Sequence, residues 1–278
     1  MKKKHLLFLV LFMQALMLKS HAAKITVTNS GDNVVGGLRF AISSAGAGDT
    51  ILFAQALVGV TISLSPNIIV IDKDITIFGL GEDKLSVSND LTTTLFKIES
   101  SANVFIKGIK IERCGDYTQT LQNDVSGAIY NQGNLTLKEV TFYDNQTGAI
   151  HNKGTISLER VTLYLNYIQG DRYPGRASGL SNTGTATIIE CMFNYNISDG
   201  TVVNPTGIRN SGTMYVERTS ITRGWAGANY ANEIGSITNS GTLELVNCTI
   251  SNNELSSALS LCSGGIYNSG NLKIDFVQ

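Results

Sequence analysis

The sequence has little of what marks a disordered or a nucleic-acid-binding protein. Proline occurs 3 times in 278 residues and charged residues make up 15% of the chain, a composition unlike that of disordered segments. The 21 Lys and Arg are balanced by 22 Asp and Glu, so there is no basic excess for binding nucleic acid. Long segments of helical periodicity are also missing. These absences argue against alternating strand–helix units and favour a strand-rich fold.

Long apolar runs are scarce beyond the N-terminus. Residues 2–4 are lysines, residues 6–18 are mostly apolar, and small residues follow up to Ala23, which predicts a signal peptide over residues 1–23. This apolar run is shorter than the roughly 20 residues of a membrane span, and no second run of that length follows. We therefore expect an exported mature chain without a transmembrane segment.

The sequence does contain a phrase that occurs six times: a small residue, an aliphatic residue, any residue, Asn, any residue, Gly. The copies are Ala128–Gly133, Ala149–Gly154, Gly179–Gly184, Gly207–Gly212, Ser236–Gly241 and Gly265–Gly270. Their Asn residues lie 21, 30, 28, 29 and 29 residues apart. A phrase that recurs at so short an interval indicates one supersecondary unit stacked on copies of itself.

Each copy continues with apolar residues at fixed offsets. Leu135 and Leu137 stand two and four residues after the Gly of the first copy, and the other copies have apolar residues at the same offsets. This spacing predicts a strand with one face turned inward. A large apolar residue returns nine residues after the Gly, as Phe142 does, and Asn stands twelve after it in four copies, as Asn145 does, with Gly224 as the exception.

A unit as short as 21 residues has room for about three short strands and tight turns. The compact solution is an all-β parallel β-helix, in which successive coils pair at about 4.8 Å. An antiparallel β-sandwich is the alternative, but six copies in register with matched apolar offsets disfavour it. The phrase Gly supplies a backbone shape that a Cβ would strain. The phrase Asn residues are expected to form a hydrogen-bonded ladder along one turn. The ladder residues are Asn131, Asn152, Asn182, Asn210, Asn239 and Asn268.

The predicted domain is a single solenoid over residues 24–278. Residues 24–50 are expected to cap its first coil, with a short amphipathic helix over 35–45 that covers exposed strand edges. The sixth copy stops at Gln278, before the strand that closes the other copies, so we expect an incomplete C-terminal coil and a missing downstream C-terminal domain.

The chain resembles bacterial exported right-handed β-helix proteins. The segments Ile25–Asn29, Gly36–Ile42 and Ala47–Ile51 look like the opening of many such proteins, and the later copies are similar to repeats of the polymorphic outer membrane proteins. The motifs that carry the second likeness include Gly127-Ala128-Ile129 and Phe142-Tyr143-Asp144-Asn145. The resemblance implies a right-handed single-stranded solenoid of the pectin-lyase-like type. It also implies an adhesin-like role, secreted or at the bacterial outer membrane and cell surface.

The later junctions between copies hold roughly ten residues each and enter at one place in the coil. We expect them to project from one edge as a ridge of loops, where binding usually resides. The residues of this predicted ridge that could bind glycans or surface proteins are Tyr167, Arg172, Tyr173, Arg176, Trp225 and Tyr230.

Two classes of function remain open. The first, which the sequence favours, is a non-catalytic binding scaffold. The second is a polysaccharide lyase or hydrolase, because β-helices also host such enzymes. No carboxylate cluster, nucleophile motif, calcium-binding repeat or metal-ligand spacing occurs, so neither catalytic nor metal residues nor a cofactor are predicted. His151 is interpreted as a solvent-facing residue rather than a catalytic one.

The four cysteines do not form a disulfide framework. Cys191 and Cys248 occupy the same position in copies two coils apart, about 9–10 Å, which is too far for a bridge. We expect both in the core. The thiol state of Cys114 and Cys262 stays open.

Overall fold

The computed structural model describes residues 22–115, 125–170, 172, 174–202, 204–230, 232–257, 261–262 and 264–278. For residues 201–202, 228–230, 232–234, 255–257 and 261–262 the backbone alone is described. The predicted signal peptide, apart from Ala22 and Ala23, lies outside the described residues.

The described chain contains one α-helix, α1 at Leu38–Ser44, one 3-10 turn at Gln55–Leu57, and 29 strands. The strands up to the first phrase are β1 Lys24–Val27, β2 Asp49–Phe53, β3 Val60–Ser63, β4 Ile69–Ile71, β5 Ile75–Phe78, β6 Leu85–Ser88, β7 Phe96–Ile98 and β8 Asn103–Glu112. The next are β9 Ile129–Asn131, β10 Asn134–Tyr143, β11 Ile150–Asn152, β12 Thr155–Glu159, β13 Thr162–Tyr164, β14 Tyr167–Gln169, β15 Leu180–Asn182, β16 Thr185–Ile189, β17 Met192–Asn194 and β18 Ile197–Val202. The last are β19 Ile208–Asn210, β20 Thr213–Glu217, β21 Ser220–Thr222, β22 Trp225–Tyr230, β23 Asn232–Ile234, β24 Ile237–Asn239, β25 Thr242–Ser251, β26 Glu254–Ser257, β27 Leu261–Cys262, β28 Ile266–Asn268 and β29 Asn271–Val277.

These strands form parallel sheets that run along one solenoid. The long sheet has 15 strands, with β1-β2-β5-β8-β10-β12-β16-β20-β25 as its main path. The ladder sheet has eight strands in the order β4-β7-β9-β11-β15-β19-β24-β28, and the insertion sheet has the four strands β14-β18-β22-β26. A two-stranded sheet pairs β23 with β27. The fold is therefore an all-β right-handed parallel β-helix, as the sequence predicted.

The core lies inside the coils and is built by the apolar columns of the repeat. Within β10, Leu135, Leu137, Val140 and Phe142 are buried, while the other residues of the strand are exposed or half-buried. Register pairs such as Leu135 with Ile156 place equivalent residues of successive coils side by side. Alternation of buried and exposed residues therefore fixes which face of each strand is inside.

The phrase Asn residues end the strands of the ladder sheet and are joined from coil to coil. The Nδ2 of Asn131 donates to the Oδ1 of Asn152 at 2.6 Å, and the Nδ2 of Asn152 to the Oδ1 of Asn182 at 2.7 Å. The same bond continues through Asn210 and Asn239 to the sixth copy. Each Nδ2 also donates to backbone carbonyls, so these buried amides are satisfied.

The phrase Gly is required by close packing between coils. A Cβ on Gly154 would overlap the carbonyl oxygen of Gly133 in the preceding coil, and a Cβ on Gly184 would overlap that of Gly154. These glycines do not have a positive φ. Steric exclusion of the Cβ, rather than a backbone shape that a Cβ would strain, is therefore the reason for Gly at this position.

A second row of buried amides lies twelve residues after each Gly. The Nδ2 of Asn145 donates to the Oδ1 of Asn166 at 2.8 Å, and the Nδ2 of Asn166 donates to the Oδ1 of Asn196 at 3.0 Å. Gly224 interrupts this row, because a Cβ there would overlap the Oγ1 of Thr206.

The coils that contain the first five copies bend at two positions with left-handed backbone, six and eleven residues after the Gly. Six residues after the Gly of the first four copies stand Glu139, Arg160, Glu190 and Arg218, with φ between 47° and 56°. We call these four residues the corner column. Their charges alternate, and Arg160 lies 2.8 Å from Glu139 and 3.7 Å from Glu190, which lies 3.1 Å from Arg218. Ion pairs between coils therefore accompany a backbone conformation that is unfavourable for residues with a Cβ.

The N-terminal cap contains α1, which buries Leu38, Ala41 and Ile42. The helix begins later than the predicted 35–45 because Gly36 has a φ of 82° and Gly37 is extended. Its Arg39 is fixed to the solenoid. The Nε lies 2.7 Å from the Oδ1 of Asp32, and an Nη donates to the carbonyl of Asn67 at 2.8 Å.

Three cysteines are buried free thiols: Cys114, Cys191 and Cys248. Thr219 lies between Cys191 and Cys248. Its Oγ1 accepts a hydrogen bond from the backbone N of Cys191, and its carbonyl accepts one from the backbone N of Thr249, the residue after Cys248. The core position predicted for Cys191 and Cys248 is confirmed. The side chain of Cys262 lies outside the described residues.

Candidate functional site

The segments of the predicted ridge begin as strands rather than as loops. These are the strands of the insertion sheet, which pair in register, so that Tyr167, Ile197, Trp225 and Glu254 form one column. The prediction of projecting loops is therefore wrong for these first residues, because the segments are long enough to add a strand to the wall of each coil. Trp225 remains 40% exposed, and its indole lies over Gly227.

The other ridge residues occupy separate settings. Arg172 is partly exposed, and Tyr173 and the side chain of Tyr230 lie outside the described residues. Arg176 is half-buried near Arg209, whose strand belongs to the ladder sheet. Burial lowers the pKa of Arg176, and the positive charge of Arg209 lowers it further.

Sequence reasoning missed an array of aromatic residues on the outside of the solenoid, which we call the tyrosine strip. It consists of Tyr143 and Tyr164 on the outer face of the long sheet and Tyr195 at the bend that follows β17. The rings of Tyr143 and Tyr164 are stacked, with centroids 5.8 Å apart and planes at 20°. Tyr195 meets Tyr164 edge to face at 5.9 Å and is 43% exposed. The signal was present in the sequence as a tyrosine ten or eleven residues after Gly in three successive copies.

A cation stands at each end of the tyrosine strip. The Nζ of Lys110 lies 5.8 Å from the ring centroid of Tyr143, and the guanidinium of Arg223 lies 5.5 Å from that of Tyr195. Lys110 also lies 3.5 Å from Glu112. Within the described part of the chain Arg223 has no carboxylate partner. The strip is therefore an aromatic surface with a positive charge available at one end.

One carboxyl beside the strip is perturbed. Burial raises the pKa of Asp144, the residue that follows Tyr143, and the negative charge of Glu112 acts in the same direction. A hydrogen bond at 2.8 Å from the amide of Gln146 and the charge of Arg113 oppose that shift.

From the sequence, His151 is interpreted as solvent-facing, and the structure contradicts that interpretation. It points outward from the ladder sheet, but it is 1% exposed because Ser126 and Tyr130 cover it. Its Nδ1 lies 3.3 Å from the Oγ of Ser126, and its Nε2 has no hydrogen-bond partner among the described residues. Burial, with a smaller contribution from Lys153, lowers the pKa of His151 to about 4, so the ring is neutral at pH 7.

The described ranges hold neither a cluster of metal ligands nor a helix that could span a membrane. No three His, Cys, Asp or Glu side chains there come close enough to hold a metal ion. No helix in the same ranges has the length and apolar character needed to cross a membrane.

The chain is similar in architecture to several solved structures. No protein-family model and no curated protein matches the chain. Among solved structures it is similar to the PL6 family alginate lyase AlyGC, at 15% identity and a TM-score of 0.39 over 91% of this chain and 40% of that one. A second is a PL6 alginate lyase in complex with a trisaccharide, at 11% identity and a TM-score of 0.33 over 87% of this chain and 62% of that one. A third is ORF18 of Geobacillus virus E2, at 15% identity and a TM-score of 0.35 over 98% of this chain and 63% of that one.

The chain spans two fifths of the first of these proteins and less than two thirds of the other two. At these identities and TM-scores the likeness carries no role from them to this chain. The class that the fold defines is that of parallel β-solenoids.

Proposed function

We propose that the protein is a non-catalytic binding scaffold, exported to the cell surface or the medium, that holds a carbohydrate chain on the tyrosine strip. The observation that carries the proposal is the row of three tyrosines on successive coils with a cation at each end. Rings and cations occupy five successive coils, which at about 4.8 Å a coil extend over about 19 Å. An extended site of this kind suits a linear polymer rather than a single small molecule.

The chemistry of the strip fits sugars. Tyrosine combines a large apolar ring, on which the C–H face of a pyranose can stack, with a hydroxyl that can bond to sugar hydroxyls. In the described part of the chain the hydroxyls of Tyr143, Tyr164 and Tyr195 make no hydrogen bond. The free guanidinium of Arg223 favours a polymer that carries carboxylate or sulfate groups.

The binding test uses the purified protein on an array of acidic and neutral polysaccharides, followed by titration calorimetry with the acidic polysaccharide retained best. Tyr195→Ala removes the most exposed ring and is expected to weaken binding about tenfold. Tyr215→Ala is the matched control, since Tyr215 also faces outward from the long sheet but its hydroxyl bonds Glu217 at 3.0 Å. Failure of the array to retain any polysaccharide, or equal affinity of Tyr195→Ala and the wild type, would show that the strip does not bind carbohydrate.

The same assay separates the strip from the predicted ridge. Trp225→Ala removes the exposed indole of the insertion sheet and leaves the tyrosine strip unchanged. If the ridge is the binding surface, Trp225→Ala weakens binding and Tyr195→Ala does not. We expect the reverse.

A polysaccharide-degrading enzyme is the second candidate, favoured by one observation. The raised pKa of Asp144 beside the strip is the property expected of a general acid near a sugar ring. Release of reducing ends or unsaturated products from the bound polysaccharide, abolished by Asp144→Asn, would establish this function. Unchanged polymer length after prolonged incubation would exclude it for that polymer.

Export rests on the N-terminal sequence. Expression with the native N-terminus in a bacterium should yield a processed protein outside the cytoplasm that begins at Lys24. An unprocessed protein confined to the cytoplasm would contradict this part of the proposal.

A further inference from the structure

A concave surface lies on the outer face of the long sheet, near its N-terminal end. It is a shallow groove of about 250 Å³. Its lining includes Asp74, Thr76, Asn103, Phe105, Asn134 and Thr136. None of the residues of the tyrosine strip belongs to it, so the groove is a separate site.

One side of the groove is a polar column that crosses three coils. The Oδ1 of Asp74 accepts hydrogen bonds from the backbone N and the Nδ2 of Asn103, at 2.8 and 2.9 Å. The Nδ2 of Asn134 donates to the Oδ1 of Asn103 at 2.9 Å. This leaves the Oδ2 of Asp74 and the Oδ1 of Asn134 without a partner among the described residues, and all three side chains are exposed. The bonds from Asn103 lower the pKa of Asp74, so its carboxylate is ionised at neutral pH.

The other side of the groove is aromatic. Phe105 is half-exposed and lies in register between Thr76 and Thr136. Phe78 supports it edge to face, with ring centroids 5.7 Å apart. Gly48 leaves the end of the groove open, since a Cβ there would meet no atom within 4 Å. The groove therefore combines one fixed ring, two hydroxyls and oxygen acceptors already held in place by neighbouring amides.

We propose that this groove binds one neutral sugar unit of a saccharide chain. The sugar ring stacks on Phe105 while its hydroxyls donate to Asp74 and Asn134. A ring with several adjacent hydroxyls matches a site of oxygen acceptors beside an aromatic face. Asp74 is the only ionised side chain in the lining, so a uronate or a sulfated sugar is repelled there. The groove and the tyrosine strip thus select sugars of different charge.

The test measures neutral and acidic polysaccharides separately, with the purified protein on an array of neutral glucans, mannans, galactans and xylans beside uronate and sulfated polymers. The neutral polymer retained best is then titrated into the wild type and variants. Phe105→Ala removes the ring and Asp74→Asn removes the charge while keeping an oxygen to accept from Asn103. Each is expected to weaken neutral-sugar binding about tenfold and to leave acidic-polymer binding unchanged.

Thr187→Ala is the matched control, because Thr187 lies in the same outward column as Phe105, three coils further along and outside the groove. It should bind neutral sugars as the wild type does, with an unchanged melting temperature in all three variants. The proposal is overturned if no neutral polymer is retained, or if Phe105→Ala and Asp74→Asn bind it with wild-type affinity. Tyr195→Ala distinguishes the two sites. If Tyr195→Ala loses binding of acidic polymers alone, the groove binds neutral sugars independently of the strip. If Tyr195→Ala loses binding of neutral polymers while Phe105→Ala keeps it, neutral sugars bind to the strip and the proposal for the groove is wrong.

Discussion

Replacement of one amide in the buried ladder gives a prediction whose size follows from the structure. The Nδ2 of Asn182 donates to the Oδ1 of Asn210 at 2.8 Å and to the carbonyl of Gly184 at 3.1 Å, and its Oδ1 accepts from Asn152 at 2.7 Å. Asn182→Ala leaves the Oδ1 of Asn210 buried without a donor, at about 1–3 kcal/mol, and removes one of three acceptors from Asn152, at about 1 kcal/mol. The free energy of unfolding is expected to fall by about 2–4 kcal/mol.

The same ladder offers the control. Asn268 also accepts from its neighbour, at 2.6 Å from the Nδ2 of Asn239, but it is exposed, so that water can replace the lost bond. Asn268→Ala is expected to lower the free energy of unfolding by less than about 1 kcal/mol. Urea unfolding can be followed through Trp225, the single tryptophan. If Asn182→Ala is no more destabilising than Asn268→Ala, buried amide bonds do not stabilise the stack in the way described.

Two other predictions concern backbone strain and acid stability. Leu165 has a φ of 56°, whereas Leu163, two residues earlier, is fully buried. Leu165→Asn should keep or raise the melting temperature because Asn tolerates left-handed backbone. Leu163→Asn should lower the melting temperature strongly because it buries a polar side chain in the core. Equal losses in the two variants would contradict this view of the bend. Burial raises the pKa of Asp32, but hydrogen bonds from Arg39 and Ser65 outweigh it and hold the pKa at about 2, below the usual 3.8. The stability that Asp32 contributes is therefore present above pH 3.8 and lost as the pH falls through 2, so acid unfolding curves of the wild type and Asp32→Asn should differ at pH 5 and converge below pH 2.

The inner half of the coil could be predicted from the sequence because its requirements are strict. A buried Asn needs a hydrogen-bond partner in the next coil, and an inward aliphatic side chain needs an apolar neighbour there. Residues such as Asn152 and Leu137 therefore recur at fixed offsets from copy to copy. The Gly was recognised for the wrong reason, since Gly154 is needed to admit the neighbouring carbonyl and not for its backbone angles. Contacts between coils cannot be seen within one copy.

The outer half could not be predicted in the same way. Outward positions tolerate many residues, so Tyr143 and Tyr164 do not stand out until the register is known. The burial of His151 depends on Ser126, which lies 25 residues earlier in the chain. Left-handed bends at Glu139 and Arg160 carry no Gly or Asn signal, because packing of the coil overrides local preference.

The corner column has a consequence for how a chain of nearly identical coils finds its own order. Six copies of one phrase could stack with one coil left out, and their aliphatic and Asn positions would still match. Such a stack would place Glu139 beside Glu190 if the coil of Arg160 were left out, or Arg160 beside Arg218 if the coil of Glu190 were left out, because the charges alternate from coil to coil. Like charges in adjacent strands destabilise a sheet. The alternation of charge therefore destabilises a stack in which one repeat is skipped during folding, and it favours the consecutive order of coils encoded by the chain.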